Sequence, residues 1–313
     1  MGRIAVIGLL SLLLTPQDIK WRANWTEALK EAKASKKLVI LVFFNKGLKD
    51  CVKFEAETLP NAAVVSALQQ HVCVKIDPEG TDEENALWQK FGQARPPMTY
   101  VCDPDGKLLT PVSALKAEYF AAPIASAGSA FFNKIQPARE ALAKDPNQAD
   151  KLVMMGEAYE KLNNPDESAA AYNKAVDVLI KKGDKAGALK LIEGQMKSYY
   201  EAKWYVQARA SCQKVSDLDP ADATKLGAQA AWIIGMADCK EAKWQNAITG
   251  MKAACARYKD APNMDQMLFT LGSAYMYARD KENAIATFEE IVKKYPNSET
   301  KNIAQIQIDK LRK

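Results

Sequence analysis

Residues 268–296 read LFTLGSAYMYARDKENAIATFEEIVKKYP, and this stretch decides how the C-terminal half of the chain is built. Gly272, Tyr275, Ala284, Phe288 and Pro296 fall at helical intervals, small residues opposite aromatic ones, with a proline closing the unit. Three more copies precede it. Residues 152–175 carry Gly156, Tyr159, Ser168, Tyr172 and Ala175, and residues 189–220 carry Met196, Tyr199, Ala208, Cys212, Val215 and Pro220. The third copy uses Gly235, Ala247, Met251 and Ala254. Small residues let paired helices approach, and the aromatics fill the gap behind them. A lone helix pair cannot bury its apolar face, so the copies share one stacked core. Four repeats are expected over 149–297, with the polar segment 298–313 as a closing helix.

The order Gly-x-x-Tyr, Ala-x-x-x-Phe, Pro resembles the tetratricopeptide repeat. Positions 156, 196, 235 and 272 recur at steps longer than the usual ~34 residues, and linkers such as KKGDKAG, 181–187, take up the excess. The resemblance implies an all-α solenoid whose first helices line a groove for a protein or peptide. Its groove positions fall on Glu157, Lys197, Tyr200, Trp232, Met236, Phe269, Met276 and Tyr277. Repeats three and four then offer an aromatic, apolar stripe, and repeats one and two offer charges. For Trp232 and Phe269 the alternative is packing against the neighbouring repeats.

The N-terminal half alternates between two periods. WTEALKEAKASKK, 25–37, has Trp25, Ala28, Leu29 and Ala32 on one helix face, and LVILVFF, 38–44, is the continuous apolar run of a strand covered on both sides. CVKFEAETL and NAAVVSALQQ read as helix, the second capped by Asn61. HVCVKID is a strand, and TDEENALWQKFG is a helix whose Thr81 and Glu84 have capping-box spacing. MTYVCDPDGKLL reads as strand, turn and strand. Helices alternating with strands imply a mixed sheet covered on its faces.

IKWRANWTEALKEAKASKKLVILVFF, ETL, VKIDPEGTDEENALWQKFG and PPMTYVCDPDGK resemble successive segments of bacterial thioredoxin-like domains. The resemblance covers 17–120 and implies an α/β thioredoxin-like fold, with Pro97 at the family's cis-proline position and Met98 where threonine is common. Residues 121–148 are then expected to be an Ala/Gly/Ser link and a leading helix. Working members carry Cys-x-x-Cys, in which a thiolate attacks a disulfide and a second thiol resolves the intermediate. Counted back from FEAET, Cys51 aligns with the resolving position and Leu48 with the attacking one. Counted forward from Phe44 the register shifts by one residue, and a second cysteine appears in neither, so dithiol exchange within this loop is excluded by residue count. Cys51 is left as a one-thiol nucleophile, an inert buried thiol, or half of a disulfide with Cys73 or Cys102. The inert reading is carried forward.

The net charge of +5 arises from 43 basic and 38 acidic residues without a basic block, which argues against nucleic-acid binding. His71 is the only histidine, so Cys/His metal sets and histidine-activated nucleophiles lose their support. No phosphate loop or paired-carboxylate motif stands out, and no metal or cofactor is expected. Residues 4–14 form an apolar run too short to span a bilayer. It is read as the core of a signal peptide over 1–16, hence export to the periplasm or beyond, with no stable membrane span after processing. A buried strand in a cytoplasmic protein is the alternative. Together these readings lead to a non-catalytic scaffold that docks a protein partner, with a one-thiol oxidoreductase or redox chaperone at Cys51 as the other possibility.

Overall fold

The computed structural model describes residues 19–313, so the expected signal peptide, 1–16, lies outside the described residues. The described chain divides into two compact units, one reaching Ala143 and including Glu157–Asn164, the other made of Lys144–Gly156 and Pro165–Lys313.

The first unit is built on a five-stranded sheet. Its strands are β1 (Trp21–Arg22), β2 (Val39–Phe43), β3 (Val72–Ile76), β4 (Met98–Cys102) and β5 (Leu108–Val112), in the order β1-β3-β2-β4-β5. The first three run parallel, and β4 and β5 are antiparallel to their neighbours. β1, two residues long, was not anticipated; it pairs with the edge of β3. All five residues of β2 are buried, as a central strand with both faces covered requires. Val39, Leu41 and Phe43 pack with Ala28 and Ala32 of α1 (Trp25–Ser35) and Leu87 of α4 (Asp82–Lys90). Ile40, Val42 and Val101 are equally buried and point the other way. There the cover is α3 (Ala62–Gln69) and α5 (Ala117–Ala130). Helix starts follow their caps: Asn24 accepts from Glu27 N–H at 2.9 Å, Asn61 from Ala63 N–H at 3.0 Å, and Thr81 and Glu84 form the full capping box. This is the α/β thioredoxin-like arrangement.

Residues 121–136 are not a link. α5 runs through a wider, π-type turn at Phe131–Ile135 into α6 (Gln136–Lys144) without a break. Phe120, Ile124, Ala127, Gly128, Phe131 and Ile135 are all buried along one side. Gly128 lies beside His71, where an added β-carbon would stand 3.9 Å from Cε1, an ordinary van der Waals separation, so the position is packed without requiring glycine. α6 and the end of α7 (Ala149–Lys161) are tied into this unit by polar contacts. The fully buried Asp103 carboxylate accepts from Arg139 at 2.7 Å and from the N–H groups of Asp105 and Lys107. Arg139 also donates to Tyr159 Oη at 2.9 Å, and Asn164 donates to the carbonyls of Leu108 and Leu109.

The remaining helices form pairs. α7 and α8 (Pro165–Lys181) are followed by α9 (Lys185–Glu201) with α10 (Tyr205–Leu218), and α11 (Gly227–Lys240) with α12 (Trp244–Arg257). α13 (Met264–Tyr277) with α14 (Lys281–Lys294) complete the four repeats, and α15 (Glu299–Arg312) closes the array with Ala304 and Ile308 buried. Each pair meets at one recurring contact, 156/172, 196/212, 235/251 and 272/288. A β-carbon on Gly156 would lie 2.7 Å from the Tyr172 ring, on Gly235 2.7 Å from Met251 Sδ, and on Gly272 2.6 Å from the Phe288 ring. The second repeat inverts the sizes: Met196 is the large partner and Cys212 the small one, both fully buried in one cluster. Volume is conserved while the order is exchanged.

The turns repeat as well. Asn163, Lys203, Ala242 and Arg279 each adopt a left-handed conformation, with φ of 53°, 64°, 57° and 65°. The next N–H then reaches back to a carbonyl in the last helical turn, 164 to 159, 204 to 199, 243 to 238 and 280 to 275, at 2.8–3.0 Å. This is the Schellman arrangement, built four times without glycine.

Candidate functional site

Two places were candidates from the sequence: the Cys51 thiol and the groove. Cys51 sits in the first turn of α2 (Lys49–Lys53), whose flanking Leu48 is extended and makes no side-chain cap. The Cys51 thiol is fully buried, and its Sγ accepts from Asn45 N–H at 3.4 Å. Burial pushes this thiol up; Asp50 and Asp77 push the same way, against the Asn45 hydrogen bond and Arg95. A thiol held protonated and out of solvent is a poor nucleophile. It is also not half of a disulfide, because all six cysteines are free. Cys73 and Cys102 lie on β3 and β4, either side of β2, and burial pushes Cys73 up to about 12 and Cys102 further. The Pro96–Pro97 bond is cis, and an ion pair of 3.8 Å between Arg95 and Asp50 links its loop to the start of α2.

The groove lies in the second unit along the first helices of repeats two to four. It has a volume of about 520 Å³. Tyr200, Trp232, Met236, Phe269 and Tyr277 all line it. Three other expected residues do not. Glu157 is exposed on the part of α7 that belongs to the first unit. Lys197 is exposed and pairs with Glu193 at 2.6 Å along its own helix, and Met276 packs half-buried into the core of the last repeats.

For Trp232 and Phe269 the two alternatives hold together. Trp232 Nε1–H donates to Thr270 Oγ1 at 3.0 Å, which in turn donates to the Gln266 carbonyl at 3.0 Å, so the indole is fixed to the next repeat. Phe269 leans on the buried Phe288 ring with centroids 5.5 Å apart. Each ring packs with one part and faces the groove with another. Tyr277 is 60% exposed, lying on Trp244 with centroids 4.9 Å apart and planes 17° apart.

Trp244 was missed, as were Lys240 and the polar lining residues Gln266, Ser273 and Thr300. A signal for Trp244 exists: the tetrapeptide EAKW occurs at 201–204 and again at 241–244. In the second repeat the left-handed residue is Lys203, and Trp204 turns inward onto Tyr199 at 5.6 Å. In the third it is Ala242, one place earlier in the tetrapeptide, and Trp244 falls one residue later relative to the turn. That offset carries the indole into the groove.

Among the described residues no group of His, Cys, Asp and Glu is placed to hold a metal ion, and no helix is long and apolar enough to cross a membrane. Residues 25–128 match the family model of a thioredoxin-like domain, and residues 152–178 and 266–298 match models of the tetratricopeptide repeat. The chain is a thioredoxin-like domain followed by tetratricopeptide repeats. A comparison with curated proteins gave no match. This domain combination is that of a protein-interaction or redox-related adaptor in general, and tetratricopeptide repeats generally mediate protein–protein contacts.

Proposed function

We propose that the protein is a non-catalytic scaffold, in which the tetratricopeptide array docks a protein or peptide and the thioredoxin-like domain serves as a fold rather than a redox centre. The groove carries this reading. Tyr200, Trp232, Trp244, Phe269 and Tyr277 converge on one open cleft, and partly exposed aromatic rings held in fixed geometry are what binding surfaces present to a partner. The buried, protonated Cys51 supports the non-catalytic half. We place the protein in a bacterial envelope on the strength of the apolar run at 4–14.

The test is affinity capture with the full chain. Wild type and Cys51→Ala are expected to retain the same partner, and the Trp244→Ala/Tyr277→Ala double variant to lose it. Loss in Cys51→Ala, with retention in the double variant, supports the thiol reading instead.

A further inference from the structure

The groove has a chemical bias that narrows its occupant. Lys240 is the one charged side chain lining it, exposed and with no hydrogen bond or ion pair among the described residues. The nearest acids in sequence are already engaged. Asp238 pairs with Arg209 at 3.1 Å, and Glu241 pairs with Arg209 at 2.6 Å and with Lys243 at 2.9 Å. No carboxylate of the described residues lines the groove, so its fixed charge is an unanswered cation beside a stacked aromatic pair.

We propose that the occupant is an extended protein segment carrying a ring side chain, phenylalanine, tyrosine or proline, next to an acidic residue. The inference rests on the proposed function and deepens it. A ring extends the Trp244–Tyr277 stack at the exposed Tyr277, where stacking and apolar burial favour it over a flexible polar chain. The adjacent carboxylate meets Lys240. A basic segment brings a second cation against Lys240, with no acid in the groove to offset it.

The test is fluorescence anisotropy of the full chain with three labelled peptides. They share the core X-Phe-Pro-Phe-X in a Gly/Ser frame, with X as Asp, Asn or Lys. Wild type is expected to bind the Asp peptide about two- to fivefold more tightly than the Asn peptide, the size of an exposed ion pair, and the Lys peptide most weakly. Lys240→Glu should reverse the order, and the Trp244→Ala/Tyr277→Ala variant should lose all three. Lys240 is an exposed surface residue, so a folding defect does not confuse the reversal. Equal binding of the Asp and Lys peptides, an order unchanged in Lys240→Glu, or no binding of any peptide at about 1 mM overturns the inference. The proposed function fails separately, when capture by the full chain is indifferent to the groove variants.

Discussion

The Trp244 indole lies flat on the Tyr277 ring, 4.9 Å between centroids and 17° between planes, although the residues belong to different repeats. Trp244 opens the second helix of repeat three, and Tyr277 ends the first helix of repeat four. The pairing depends on the turn at Ala242. The same tetrapeptide with its left-handed residue one place later sends Trp204 inward instead. Local backbone geometry, rather than residue type, decides which tryptophan faces the groove.

That turn gives a first prediction. Ala242 holds φ of 57°, which glycine adopts without the cost a β-carbon imposes. Ala242→Gly should stabilise the full chain by about 0.5–1 kcal/mol in urea unfolding, offset in part by the flexibility glycine adds to the unfolded chain. A clear loss of stability would contradict the turn as described.

Glycine should behave oppositely at the repeat contacts. Gly272→Ala sets a β-carbon 2.6 Å from the fully buried Phe288 ring and should cost about 1–3 kcal/mol by overpacking. Gly194→Ala and Gly250→Ala, in helix interiors with nothing within 4 Å, should be stabilising by up to about 1 kcal/mol. Urea midpoints of the three variants check the contrast directly.

Much of this was legible in the sequence because its signals are local. Strand and helix periods, the caps at Asn61 and Thr81, and the recurring small-to-large contact each depend on a few neighbouring residues. The residues that misled were those with two physical meanings. Ala, Gly and Ser at 121–136 occur both in flexible links and in packed helices, and only the burial of Ile124, Ala127 and Gly128 along one side of the helix decides between them. Repeat-based carry-over placed Tyr200, Trp232, Met236, Phe269 and Tyr277 in the groove, but it failed for Glu157, which belongs to the other unit. Trp244 escaped because its direction depends on a one-residue offset in a turn.

His71 supplies a pH dependence. Its Nδ1 is buried with no hydrogen-bond partner among the described residues, and burial, helped by Lys37, depresses the imidazole to about 4. The unfolded chain protonates near 6.5, so between that pH and about 4 it binds a proton the native state refuses. The contribution to stability is intact above pH 6.5 and is lost as pH falls, reaching about 3 kcal/mol near pH 4. Comparing urea unfolding of wild type and His71→Gln at pH 7 and 4.5 isolates this group, since the carboxylates titrate in both. A difference between the two proteins that does not change with pH would refute it.

Cys51 should be silent in redox assays. With its thiol fully buried and its pKa raised, reduction of insulin by dithiothreitol in the presence of wild type should match that with Cys51→Ala. Turnover by wild type above the variant would restore the oxidoreductase reading.

The central claim is that a protein partner occupies the aromatic groove, and site-specific photo-crosslinking tests it most directly. A benzophenone side chain placed at Tyr277, 60% exposed in the groove, should form a covalent adduct with a discrete protein in cells. The same group at Val206, 66% exposed on α10 and away from the groove lining, should not. An adduct from 277 that is absent from 206 is the predicted result; no adduct from 277, or the same adduct from both positions, contradicts it.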